Sequence, residues 1–152
     1  MSWWEKGVQF QCQGSGNCCT SHGEYGFVYM TKQDRQRMAK ELGLSVREFT
    51  QKHCDRTDGF FHLKENPQDP NCRFLKNKRC SVYAGRPTQC RTWPFWPEVM
   101  NAKAWKKEIA SFCPGVRGKK PLVPAEEIEV ILKEQKMSED SLDQEARKYL
   151  SR

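Results

Sequence analysis

Eight cysteines stand at positions 12, 18, 19, 54, 72, 80, 90 and 113. Thiolates are soft ligands, and clusters of them hold zinc, Cu(I) or iron–sulfur centres. The first three read C-x5-C-C within QCQGSGNCCT, a polar stretch. Gly14 and Gly16 permit a tight loop whose amide N–H groups can point at sulfur and offset its charge. In a turn, Cys18 and Cys19 can reach one metal or two. The second cluster lies in NCRFLKNKRCSVYAGRPTQCRTWPFWP, where Cys72 and Cys80 bracket a turn around Lys76, Asn77 and Lys78. Gly85 and Pro87 break the chain before Cys90, and Cys113 lies in FCPGV, another turn. Core cysteines normally sit in apolar runs, so these polar and basic settings favour metal ligation over packing. The start, MSWWEKGVQF, lacks the features of an export signal. The expected compartment is therefore the reducing cytoplasm, where structural disulfides do not persist.

The chain has 152 residues, enough for one domain. Its apolar fraction is 37%, cysteines included, below the ordinary 45–50%. The oily core is thin, and a metal centre is a means of supplementing it. Aromatic residues make up 11%, too many for a disordered chain. No window approaches a membrane span. The net charge is +7; residues 1–113 hold 18 Lys and Arg against 11 Asp and Glu, while residues 114–152 hold 8 of each. Residues 73–91 carry Arg73, Lys76, Lys78, Arg79, Arg86 and Arg91 without an acid. Nucleic-acid binding is one use for such a run. The preferred use is local, since basic side chains lower thiol pKa and neutralise a thiolate centre. Arg86 and Arg91, flanking Cys90, are the candidates for that supporting role.

Three pieces in order, FQC-x5-CC at 10–19, CRFL at 72–75 and CSVY-x2-RP-x2-CR-x2-PF at 80–95, are followed by CPG at 113–115. Together they resemble the YkgJ-type cysteine-cluster proteins, also described as a zinc- or iron-chelating CxxCxxCC domain. The resemblance covers about residues 8–116. It implies seven metal-site cysteines, here Cys12, Cys18, Cys19, Cys72, Cys80, Cys90 and Cys113, with Cys54 outside the motifs. Many relatives read C-x2-C-x2-C-C where this chain has C-x5-C-C, one thiolate fewer. One branch of the family resembles flagellin lysine N-methylases, an analogy of fold and cluster.

Four thiolates saturate one tetrahedral zinc or one iron–sulfur cube, so seven exceed either. Two zinc ions could use all seven with one bridging sulfur, or divide them into four and three, which leaves a position for His22, His53, His62, a carboxylate or water. Zinc is the expected metal, because it needs no assembly machinery, with an iron–sulfur cluster as the alternative. The function expected is metal binding of undefined cellular role. The alternatives are an iron–sulfur or zinc enzyme related to the methylases, and a metal chaperone or sensor. Whether the chain is an enzyme stays open: it has no Ser/His/Asp order, P-loop or dinucleotide loop. An unidentified protein partner is open, and nucleic acid is not expected.

The elements that must position these cysteines read as an α+β fold, a small irregular single domain organised around a cysteine-ligated metal centre. Gly23–Thr31 reads as a strand, and Thr31 as a helix N-cap with Asp34 three residues on. Gly43 stops that helix, and Ser45 with Glu48 opens a second, through about Lys52. Asp58–Glu65 reads as a strand, Val82–Tyr83 as a strand-like piece, and 102–111 as a helix burying Trp105, Ile109 and Phe112. The division expected is a metal-binding domain over 1–116 and a linker with a helical C-terminal extension over 117–152. Within the extension one helix starts at Pro124, with Ile128, Ile131, Leu132 and Gln135 on its face. A second starts near Ser141, with Leu142, Ala146 and Tyr149 aligned.

Overall fold

Thr31 and Ser45 start helices by the same reciprocal device. The Thr31 hydroxyl accepts from the Asp34 amide while the Asp34 carboxylate accepts from the Thr31 amide, and Ser45 and Glu48 repeat the arrangement. Each box satisfies two amides that the first helical turn leaves unpaired. In the computed structural model, which describes residues 2–12, 27–69, 71–111 and 113–152, the helices are α1 (Lys32–Leu42) and α2 (Val46–His53). Gly43, left-handed at φ 69°, ends α1 by donating to the Ala39 and Lys40 carbonyls.

Strand β1 (Val8–Gln9) precedes these helices. A hairpin follows α2 directly, with β2 (Cys54–Thr57) antiparallel to β3 (Phe60–Leu63). Asp58 at φ 53° and Gly59 at φ 88° form its turn, both left-handed as a two-residue hairpin connection requires. The strand expected over Asp58–Glu65 is thus a turn and one arm of a hairpin; the apolar FFHL obscures the Asp-Gly signal. Residues 27–30 lie along β3, with the Met30 amide on the Phe61 carbonyl and the Leu63 amide on the Val28 carbonyl, both at 3.0 Å. They are the described part of the strand expected from Gly23.

A second hairpin pairs β4 (Leu75–Lys76) with β5 (Arg79–Cys80), Leu75 opposite Cys80. Asn77 and Lys78 turn it at φ 52° and 63°. Val82–Tyr83 does not continue this strand. Tyr83–Gly85 is a 3₁₀ turn, and Gly85 backs so closely on α1 that a Cβ there would lie 2.8 Å from Glu41 Cβ. The short helix α3 (Thr88–Thr92) follows. The expected helix over 102–111 is one turn of α-helix, α4 (Ala102–Ala104), running into a π-helical stretch over Trp105–Ala110 that buries Trp105 and Ile109. Phe112 lies outside the described residues.

The segment read as a linker contains a strand, β6 (Leu122–Val123), paired with β1. The two helices expected beyond it are one, α5 (Ala125–Leu150). No glycine or proline interrupts residues 125–150, and 26 residues make a rod about 39 Å long. This helix touches much of the fold. Glu145 accepts from the Lys32 amide at the start of α1, Ala146 meets Gly59, and the Arg56 guanidinium lies 3.6 Å over the Tyr149 ring.

The core has two parts. One gathers Met30, Met38, Phe49, Cys54, Leu63, Phe74 and Val82 between α1, α2 and the hairpins. The other gathers Val8, Phe95, Val99, Trp105, Ile109 and Ile128 under α5. The result is a small mixed helix-and-strand domain with a C-terminal helix. Among the described residues no helix is long and apolar enough to cross a membrane.

Candidate metal centre

Asp34 shows how α1 positions a cysteine-bearing segment 54 residues away. Its carboxylate, 1% exposed, accepts from the Thr88 amide at 3.0 Å, the Thr88 hydroxyl at 2.8 Å and the Arg37 guanidinium at 2.6 Å. Arg37 also donates to the Arg86 carbonyl at 3.3 Å. These bonds hold the start of α3 and the loop before it, so Cys90 sits on a fixed element. Sequence marks Asp34 as a cap partner; its second role depends on a contact that no local signal encodes.

The described cysteines fall into distinct environments. Cys54 is buried in the first core, with its sulfur 4.0 Å from the Met30 sulfur. Burial pushes its thiol up to about 11, against the pull of nearby Arg35 and Arg73. Cys72 and Cys80 are half-buried at the margin of that core, Cys72 before the β4–β5 hairpin and Cys80 at the end of β5. Exposed Arg73, Lys76, Lys78 and Arg79 surround them in sequence. Cys90 is half-buried on α3. Cys113 is half-buried at the margin of the second core, its amide donating to the Ile109 carbonyl at 2.7 Å. Cys12 is exposed. Its neighbour Gln11 donates to the Gly115 carbonyl at 3.0 Å, and a Cβ on Gly115 would lie 2.6 Å from the Gln11 carbonyl oxygen. That contact brings the chain at Cys12 alongside Cys113-Pro114-Gly115, and only glycine fits it.

Cys18, Cys19 and His22 lie outside the described residues. Among the described residues, no group of three or more His, Cys, Asp or Glu side chains is arranged to hold a metal ion.

The other two histidines differ. His62 has both ring nitrogens engaged, Nε2 with the Thr57 hydroxyl at 2.8 Å and Nδ1 with the Leu63 carbonyl at 3.0 Å, and it stacks on Phe27 at 3.7 Å. A ligand needs a free nitrogen lone pair, so His62 is excluded as the outside ligand in this arrangement. His53 packs against Phe49 and Phe74, and its buried Nδ1 has no hydrogen-bond partner. Burial, then Arg73, Lys52 and Lys64, push its pKa down to about 4. The ring is neutral at physiological pH.

Arg86 and Arg91 each have partners. Arg86 donates to the Tyr83 carbonyl and lies 3.7 Å over the Tyr83 ring. Arg91 pairs with Glu134 of α5.

A family model described as "Putative zinc- or iron-chelating domain", CxxCxxCC, matches residues 11–114. The uncharacterized protein MJ0661 of Methanocaldococcus jannaschii is 30% identical over 100 residues, 64% of this chain and 50% of that protein. The chain thus spans about half the length of this curated relative. No solved structure gives a significant match.

Proposed function

The chain belongs to the CxxCxxCC family, and on that premise we propose that it is a cysteine-cluster metalloprotein. Cys12, Cys18, Cys19, Cys72, Cys80, Cys90 and Cys113 are the ligands. The observation that carries this reading is the partition by burial. Among the described cysteines, Cys54 alone is enclosed in apolar packing that raises its pKa, whereas the others are exposed or half-buried on turns, a hairpin and α3. Metal binding requires thiolates, which apolar burial disfavours and neighbouring cations favour.

Residues 1–116 carry the centre, and residues 117–152 brace it through β6 and α5. Arg86 and Arg91 offset the charge of the bound thiolates, Arg91 while tying α3 to α5. Zinc is the metal in purified protein, in a cytoplasmic setting, where it would cross-link the segments that carry the ligands. A site with three thiolates leaves one exchangeable position, for which His53 is a neutral candidate.

The test is anaerobic purification followed by elemental and sulfide analysis. Stoichiometric zinc without sulfide is expected; iron with equimolar sulfide would replace zinc by a cluster. Cys90→Ser is expected to lower metal content and Cys54→Ser to leave it intact. Equal loss in both would break the partition.

A further inference from the structure

A cavity of about 260 Å³ opens between α3, the π-helical stretch and α5. Aromatic rings form much of its wall: Phe27, Tyr29, Trp93 and Trp96. Trp93 and Trp96 meet at 80°, and Phe27 and Tyr29 at 89°, so each pair makes a corner rather than a flat patch.

The wall is held in place by polar bonds. Gln89 accepts from the Tyr29 amide and donates to the Phe27 carbonyl. The Trp96 indole N–H donates to the Thr92 hydroxyl at 3.0 Å, which itself donates to Gln135 at 2.6 Å. A cavity whose lining is fixed before a ligand arrives loses little entropy on binding.

Three carboxylates, Glu98, Glu108 and Glu139, line the same cavity. None forms an ion pair among the described residues, in a chain with net charge +7. Glu139 accepts a hydrogen bond from Gln135, and burial, with Glu98 nearby, raises its pKa against the pull of Lys136. Carboxylates outside any ion pair, beside aromatic rings, attract cations. The three carboxylates are not grouped to hold one metal ion, and the aromatic wall suits a cation whose charge is spread over an apolar surface.

We propose that this cavity binds an alkylammonium head group, its methyl or methylene surface against the tryptophans and its charge balanced by Glu98, Glu108 and Glu139. The volume suits a head group rather than a drug-sized molecule. The source is either a free small amine or an ammonium side chain presented by another protein. Gln89 and Cys90 are adjacent on α3, so this cavity and the proposed metal ligand share one short helix.

Choline and N-acetyl-trimethyllysine amide serve as probes of the two sources, titrated into the full metal-loaded chain by calorimetry and tryptophan fluorescence. The neutral isostere 3,3-dimethyl-1-butanol is the control. At least one ammonium probe is expected to bind, and the isostere to bind about tenfold more weakly or worse. The tighter ammonium probe identifies the source. The double variant Glu98→Gln, Glu108→Gln changes half-buried or exposed positions and should fold, as checked by its melt and metal content. It is expected to weaken binding about tenfold or more. Failure of both ammonium probes to bind at millimolar concentration overturns the proposal. So does equal binding of the neutral alcohol, or an unchanged affinity in the double variant.

Discussion

The two parts of the core are built differently. The first rests on two capped α-helices and a tight Asp-Gly hairpin, with methionine, leucine and phenylalanine inside. Each element there is stabilised by contacts a few residues apart. The second rests on tryptophans, prolines, 3₁₀ turns and a π-helical stretch. Its order comes from contacts between distant segments: β1 with β6, Gln11 with Gly115, and Ile128 of α5 in one buried cluster with Trp105 and Phe95. Local propensity supports the first part before the chain has closed. The second has little to hold it until the ends meet. A metal joining Cys12 and Cys113 to Cys72, Cys80 and Cys90 would therefore stabilise the second part more than the first.

Metal removal should have the largest effect and tests that asymmetry most directly. Structural zinc supplies about 10 kcal/mol of apparent binding energy to small domains. A strong chelator under reducing conditions should lower the melting temperature by about 20 °C or more. Hydrogen exchange should show amides over 93–123 losing protection before those of α1, α2 and β2–β3. Uniform loss would erase the distinction, and an unchanged melt with the metal gone would deny the coupling.

Asp34→Ala comes next, because it cuts the tie between α1 and α3. The Thr88 amide and hydroxyl and the Arg37 guanidinium lose their acceptor in a buried setting. The cost should be about 3 kcal/mol by urea denaturation. Metal content should fall as well, since α3 carries Cys90. Thr31→Ala, which removes only the cap, should cost about 1 kcal/mol and spare the metal.

His53 confers a pH dependence on the first part. Its folded pKa is lowered from 6.5 to about 4, chiefly by burial, with Arg73, Lys52 and Lys64 adding repulsion. Between these values the unfolded chain binds more protons than the folded one, so stability falls as pH falls through that window. The loss should be on the order of 2 kcal/mol. His53→Leu should flatten this part of the profile in denaturation measured from pH 7 to pH 4. An unchanged slope would assign the acid sensitivity to other groups.

The smallest effect expected is a gain. Lys78 holds a left-handed φ of 63° in the β4–β5 turn, next to Asn77 at 52°. Lys78→Gly would make the Asn-Gly pair that such turns favour. Thermal denaturation should show a stabilisation of about 1 kcal/mol. A loss instead would mean that the Lys78 side chain matters more than its backbone strain.

Much of the first part is legible in the sequence. Thr31 with Asp34, Ser45 with Glu48, and Gly43 between them specify two helices through bonds spanning three or four residues. The basic turn between Cys72 and Cys80 is legible for the same reason. Asp58-Gly59 carries an equally local signal that the following FFHL overshadows. The second part is much less legible: β6 is two residues long within a basic Pro/Gly stretch, and it exists because β1 lies beside it. Trp105 can be assigned to packing, but the cavity that Trp93 and Trp96 share with Glu98, Glu108 and Glu139 joins segments distant in sequence.

The sequence by itself determined the chemical class, because the order of the cysteine motifs is written in the chain, and the family model matches residues 11–114 although one thiolate of the fuller pattern is missing. It also determined both capping boxes, whose bonds are local. Tertiary structure alone decided that Cys54 is enclosed in apolar core, that His62 has no nitrogen to spare, and that α5 runs unbroken across both parts. Those outcomes depend on which surfaces meet, and burial and hydrogen-bond partnership are properties of the packed chain.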